Sequence, residues 1–162
     1  MAALNPFERA ALQKAVEAAR GMNARYPYPA LLTIAEWALA SDWGHLQPGN
    51  NPFRIPAYPY CFGIQEWPKT NGGQRRRAAP RRVFYAVFED LTQAFLKYEA
   101  MRVTTLGVHP HYFAYFQGEI DQEELARRVA SEPGQAETLI AIMQHPEVQE
   151  AWQKTAPEVT LA

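Results

Sequence analysis

The sequence predicts an α+β, mainly helical, lysozyme-like fold: helices around one cleft, with a small β-hairpin lobe on one side. Two observations predict it. Helical spacing of apolar residues dominates both ends of the 162-residue chain. Between them, about residues 45–88, that period disappears and short extended runs separated by Pro, Asn and Gly take its place. The length suits a single domain over 1–162 with a sizeable core. A 48% apolar content, 20% charged residues and a net charge of −1 describe a globular chain. They exclude global disorder and make nucleic acid an unlikely partner.

The elements follow in order. Asn5 can cap and Pro6 suits a first helical position, so a helix is expected from residue 5 to about 26. Its apolar face is Phe7, Ala11, Leu12, Ala15, Val16 and Ala19. Pro27 and Pro29 end it. A second helix is expected over 30–42, with Leu31, Ile34, Ala35, Ala38 and Leu39 on one face; Gly44 and Pro48 stop it. Extended runs are expected at 61–67 and 82–87. Leu91, Phe95, Tyr98 and Arg102 are spaced by four, three and four, which predicts a helix over about 90–103. A loop is expected through Gly107 and Pro110. Asp121 should cap a helix reaching about 130, with Glu124 as its capping-box partner. Helices at about 135–145 and 146–154 complete the chain.

The segment Ala35-Glu36-Trp37-Ala38-Leu39-Ala40-Ser41-Asp42-Trp43-Gly44 resembles the helix-end motif A-Q-x-A-L-E-S-G-W-G of bacterial glucosaminidases. These are the autolysin and flagellar-muramidase type, glycoside hydrolase family 73. Three further runs are similar to the same family. Gly49-Asn50-Asn51-Pro52-Phe53-Arg54-Ile55 resembles G-N-N-L-F-G-I. Gln65-Glu66-Trp67 followed by Asn71-Gly72 resembles the T-x-E-Y-x-N-G hairpin. The run from Val83 to Leu91 resembles F-R-x-Y-P-S-x-E-D-S. The resemblance spans about residues 28–102; the family's later G-Y-A-T-D element has no match at Ser131-Glu132-Pro133-Gly134-Gln135.

The resemblance implies peptidoglycan, or a related N-acetylglucosamine glycan, as partner and glycosidic hydrolysis as the family's reaction. It places the general acid at position 40. Here that residue is Ala40, through natural divergence or an introduced change, and a methyl group donates no proton. Asp42 and Arg54 both stand where the motif has Gly. The resemblance makes Glu66 the second carboxylate, facing position 40 across the groove with Trp67 packed behind it. Carboxyl separations of about 6.5–9.5 Å or 5–5.5 Å would mark inverting or retaining chemistry. Glu36 lies one helical turn before position 40, about 5–6 Å away, and is a candidate displaced acid or a cleft-edge polar residue. Asp42 should face elsewhere. Trp43, Asn50, Asn51, Phe53, Trp67 and Tyr85 are candidate glycan-binding residues, because sugar faces stack on aromatic rings. Trp37 is more suited to the core.

Three readings stay open on sequence alone. One is a glycan-recognising domain with hydrolysis impaired or lost. Another is an active glycosidase using Glu66 and a displaced Glu36. The third is a non-catalytic protein-interaction module on the same fold.

No cofactor and no metal are expected. His45, His109, His111 and His145 form no ligand pattern. Cys61, the only cysteine, reads as a small apolar residue among Tyr58, Tyr60 and Phe62. No apolar run reaches the length of a membrane span, and the first twenty residues do not read as a signal peptide. Arg75, Arg76, Arg77, Arg81 and Arg82 make a basic loop suited to solvent or to an anionic polymer.

Overall fold

A computed structural model describes residues 1–57, 63–66 and 84–156, with the backbone alone for 63–66. Helix α1, Pro6–Asn23, starts as its sequence directs. Asn5 Oδ1 accepts from the Glu8 N–H at 2.9 Å, and Glu8 Oε2 accepts from the Asn5 N–H at 2.8 Å. This is a complete capping box. The helix stops at Asn23 rather than near residue 26; past it the Arg25 N–H closes a tighter i→i−3 bond to Met22 O. Its inner face is Ala11, Leu12, Ala15, Val16, Ala18, Ala19 and Met22. Phe7 lies outside that face, 55% exposed and stacked on His45 at 4.7 Å.

Helix α2, Ala30–Ser41, is buried on nearly every side between α1 and the later helices. A single apolar face was expected; the helix is instead the centre of the bundle. Leu39 and Ala40, at its C-terminal end, are exposed. The helix ends in a left-handed turn with φ of 49° at Asp42, 54° at Trp43 and 92° at Gly44. Position 44 admits only glycine: a Cβ there would lie 2.6 Å from Ala11 Cβ.

A 3₁₀ turn, Pro48–Asn50, leads into the lobe. Strands β1, Gly63–Glu66, and β2, Phe84–Val87, pair antiparallel with Gln65 opposite Tyr85 and Glu66 opposite Phe84. Both lie within the expected runs 61–67 and 82–87, whose other residues are outside the described ones. Cys61, Trp67 and the Arg75 to Arg82 loop lie outside the described residues. Ile55, Ala86, Phe88 and Ala94 form a small second core beneath this lobe.

Helix α3, Leu91–Val103, is capped by Asp90, whose carboxylate accepts from the Gln93 N–H at 2.9 Å. The segment expected to be a loop then forms helix α4, His109–Phe116. Pro110 sits in its first turn, where a missing N–H removes no helical bond. Tyr112, fully buried, fixes α4 to the core. Helix α5, Gln122–Val129, is capped by Asp121, which accepts from the Glu124 N–H at 2.8 Å. Glu124 itself pairs with Arg127 and Arg128, so only half of the expected box forms. Helix α6, Gln135–Met143, ends two residues early because His145 caps helix α7, Pro146–Lys154, by accepting from the Glu147 N–H. Helix α7 closes on α1: Glu147 takes the Leu4 N–H and Arg9, and Arg20 lies over Trp152. Among the described residues no helix is long and apolar enough to cross a membrane.

Candidate active site

A groove of about 580 Å³ opens where α2 ends. One wall is Glu36, Leu39 and Ala40 from α2, with Tyr98 and Arg102 from α3. Residues 52–54 form its near edge. The far wall is Val129, Ala130, Ser131, Gln135 and Leu139, from the end of α5 to α6.

The near edge is set by two asparagines. Asn51 is fully buried. Its Oδ1 accepts from the Ile55 N–H at 2.9 Å, and its Nδ2 donates to Ile55 O and Ala86 O. Asn50 Nδ2 donates to Phe88 O at 3.0 Å and to Glu89 O at 3.2 Å. Both side chains therefore tie the turn to β2 and the segment after it. The turn they fix presents Phe53 to the groove, stacked on Tyr98 at 3.8 Å with ring planes 9° apart. It also holds Arg54 at φ 54°, a left-handed conformation that disfavours long side chains.

Beneath the α2–α3 wall the protein carries charge. Arg102 Nη1 forms an ion pair with Glu36 Oε1 and donates to the Tyr98 hydroxyl at 2.8 Å. The two charged side chains are 14% and 8% exposed. Burial pulls the Arg102 guanidinium down, but the Glu36 carboxylate outweighs it and holds the group above its usual range. Behind this pair Glu99 is fully buried. Its carboxylate accepts from Thr33 Oγ1 at 2.9 Å and from the Tyr112 hydroxyl at 2.5 Å. Burial, then the neighbouring Glu36 charge, push Glu99 up to about 7, against the opposing pull of Arg102 and the two hydroxyl donors. Burial, then the Glu36 carboxylate, also hold the Tyr98 hydroxyl far above its usual range, so it keeps its proton.

The structure thus brings Ala40, Glu36 and Phe53 together in the groove. Trp43 does not line it; its ring packs on Trp37 at 6.3 Å and on His145 at 5.7 Å. Trp37 is fully buried, as its sequence position suggests, with its indole N–H donated to Gln47 Oε1 at 2.8 Å. Asp42 is exposed at the helix C-cap. Tyr85 is half-buried in β2 and also bridges to Pro56, away from the groove wall. The side chains of Glu66 and Trp67 lie outside the described residues. Sequence reading missed Tyr98, Arg102, Glu99 and the whole far wall as site components. One signal was present: Arg102 occupies an apolar stripe shared with Leu91, Phe95 and Tyr98, and a cation there needs a buried partner.

No family model matches the chain, and no curated protein matches it. Solved structures do. The glycoside hydrolase domain of FlgJ from Salmonella typhimurium superposes with a TM-score of 0.68 at 21% identity, over 91% of each chain. A peptidoglycan hydrolase from Sphingomonas sp. A1 gives 0.63 at 20% identity, over 92% of this chain and 96% of that one. The catalytic domain of the autolysin Auto from Listeria monocytogenes gives 0.67 at 14% identity, over 93% and 90%. The chain has the lysozyme-like fold of these hydrolase domains. Within that fold the α2 terminus forms one wall of the groove, and Ala40 is on that wall.

Proposed function

We propose that this groove binds peptidoglycan or a related N-acetylglucosamine glycan, and that the chain hydrolyses it poorly or not at all. The observation that carries the reading is Ala40. It stands exposed on the groove wall at the end of α2, the position where the sequence resemblance puts a general acid. Protonation of the leaving oxygen contributes about 10²–10⁴ in rate. With a methyl group there, the aglycone must leave without that proton. Glu36 does not stand in for it, because its carboxylate is engaged by Arg102 one turn further into the helix. The groove's size lies in the range of about 300–1,000 Å³ usual for ligand sites. Its aromatic edge, Phe53 on Tyr98, gives a sugar face an apolar surface.

The test pairs binding with turnover. The unmodified chain should sediment with purified cell wall and release no reducing ends at an ordinary enzymatic rate. Ala40→Glu should raise hydrolysis by about 10²–10⁴. Ordinary turnover by the unmodified chain would return the active-glycosidase reading with Glu66 and Glu36. Failure to bind any glycan would leave the protein-interaction module.

A further inference from the structure

We propose that Glu36 and Arg102 together form a subsite for a secondary amide, a reading that rests on glycan binding in this groove. Arg102 uses Nη1 for both of its hydrogen bonds, with Glu36 and with Tyr98. Its Nε and Nη2 make no hydrogen bond among the described residues, although the guanidinium has five N–H donors to offer. On the carboxylate side, Glu36 Oε2 is buried with no hydrogen-bond partner. The Tyr98 hydroxyl stands close enough to the Glu36 carboxylate for that group to hold the phenol proton in place. An unpaired acceptor so placed is costly, and it sits in the wall of the groove.

The pair therefore offers one unused acceptor beside unused donors. A secondary amide is the complement: an N–H for the carboxylate and a C=O for the guanidinium. The pair is neutral as a unit, which suits an uncharged ligand group over an ammonium or a carboxylate. Oε2 is covered in the unliganded protein. The terminal torsion of a glutamate is broad and soft, so the carboxylate can turn one oxygen to the groove while the other keeps Arg102. The Phe53–Tyr98 stack beside it supplies an apolar surface for the carbon attached to the amide. Two parts of a wall polymer carry such an amide: the acetamido group of the sugar and the peptide bonds of the stem.

Calorimetric titration of the full chain separates these cases. The ligands are an N-acetylglucosamine tetramer, cellotetraose, which has hydroxyls in place of acetamido groups, and a stem-type tetrapeptide. If the sugar supplies the amide, the N-acetylglucosamine tetramer binds about tenfold or more tighter than cellotetraose. Glu36→Leu combined with Arg102→Met removes donor and acceptor at once and should erase that preference. Glu36→Gln, isosteric and less disruptive, keeps an acceptor for Arg102 but places an N–H against the amide N–H; it should erase the preference as well. If the stem supplies the amide, the tetrapeptide binds and the same variants abolish its binding. Equal affinity for the two tetramers with no tetrapeptide binding overturns the subsite and leaves glycan binding intact. So does a preference that survives in both variants. Absence of binding to every ligand and to whole cell wall overturns the functional reading itself.

Discussion

Helices α1 and α3 pack against each other, yet they bury different chemistry. The inner face of α1 holds only apolar side chains, four of its seven buried residues being alanine. Small side chains let neighbouring helices approach closely. The inner face of α3 begins the same way, with Leu91, Ala94 and Phe95, and then buries Glu99 and most of Arg102. The change coincides with the groove: α1 contributes no residue to its lining, while Tyr98 and Arg102 in the second half of α3 form part of its wall. Buried ion pairs are weak contributors to stability, because desolvation offsets most of their attraction. The charged half of α3 is therefore understood through the groove, and α1 through packing.

The sharpest way to break this contrast is Arg102→Met alone. It leaves Glu36 buried beside Glu99 with no counter-charge, and should destabilise the protein by about 3–5 kcal/mol in urea unfolding. On the apolar side, Leu12→Ala should cost about 3 kcal/mol by opening a cavity. Glycan affinity of the folded Leu12 variant should equal that of the parent. A loss of affinity there would show that α1 also shapes the groove.

A smaller effect should appear in the pH dependence. Glu99 is raised to about 7, so between the ordinary glutamate range and that value the folded state keeps a proton that the unfolded chain has lost. The stability linked to this proton is complete below the ordinary range and is lost as pH rises through about 7. Glu99→Gln should therefore flatten the fall in Tm between pH 5 and pH 8. An unchanged slope would place the titration elsewhere.

The smallest change concerns the turn after α2. Asp42 holds φ 49°, a conformation that glycine adopts without a Cβ penalty. Asp42→Gly should stabilise by about 0.5–1 kcal/mol, measured as a higher urea midpoint at unchanged slope. The same logic applies to Arg54 at φ 54°, where the motif also has Gly. At both positions a residue with a Cβ adopts the left-handed conformation.

Much of the fold was legible because its signals are local. Asn5 and Pro6 wrote the start of α1, and Asp121 wrote that of α5. Helix α4 was misread because His109, Pro110 and Gly107 look like loop residues, while proline in a first turn is harmless. Its stability comes from Tyr112, whose burial against Glu99 is a tertiary event. Of the site, Ala40 at the end of α2 and Phe53 beside the Asn50-Asn51 turn were legible from motif and spacing. Trp43 was placed with them because sugar faces stack on aromatic rings. Consecutive positive φ angles at 42–44 instead accompany a ring packed on Trp37 and His145.

The sequence by itself determined the helix starts, the turn glycine at 44, the absence of an ionisable group at position 40 and the lysozyme-like plan. The first three depend on residues within one or two turns of one another, and the plan on the order of such local patterns along the chain. Only the tertiary structure decided that Glu36 meets Arg102, sixty-six residues away, that Thr33 and Tyr112 share Glu99, and that residues 129–139 face Ala40. Such pairings depend on how helices from distant parts of the chain cross. Local spacing shows which side of a helix a residue occupies, but not what will stand opposite it.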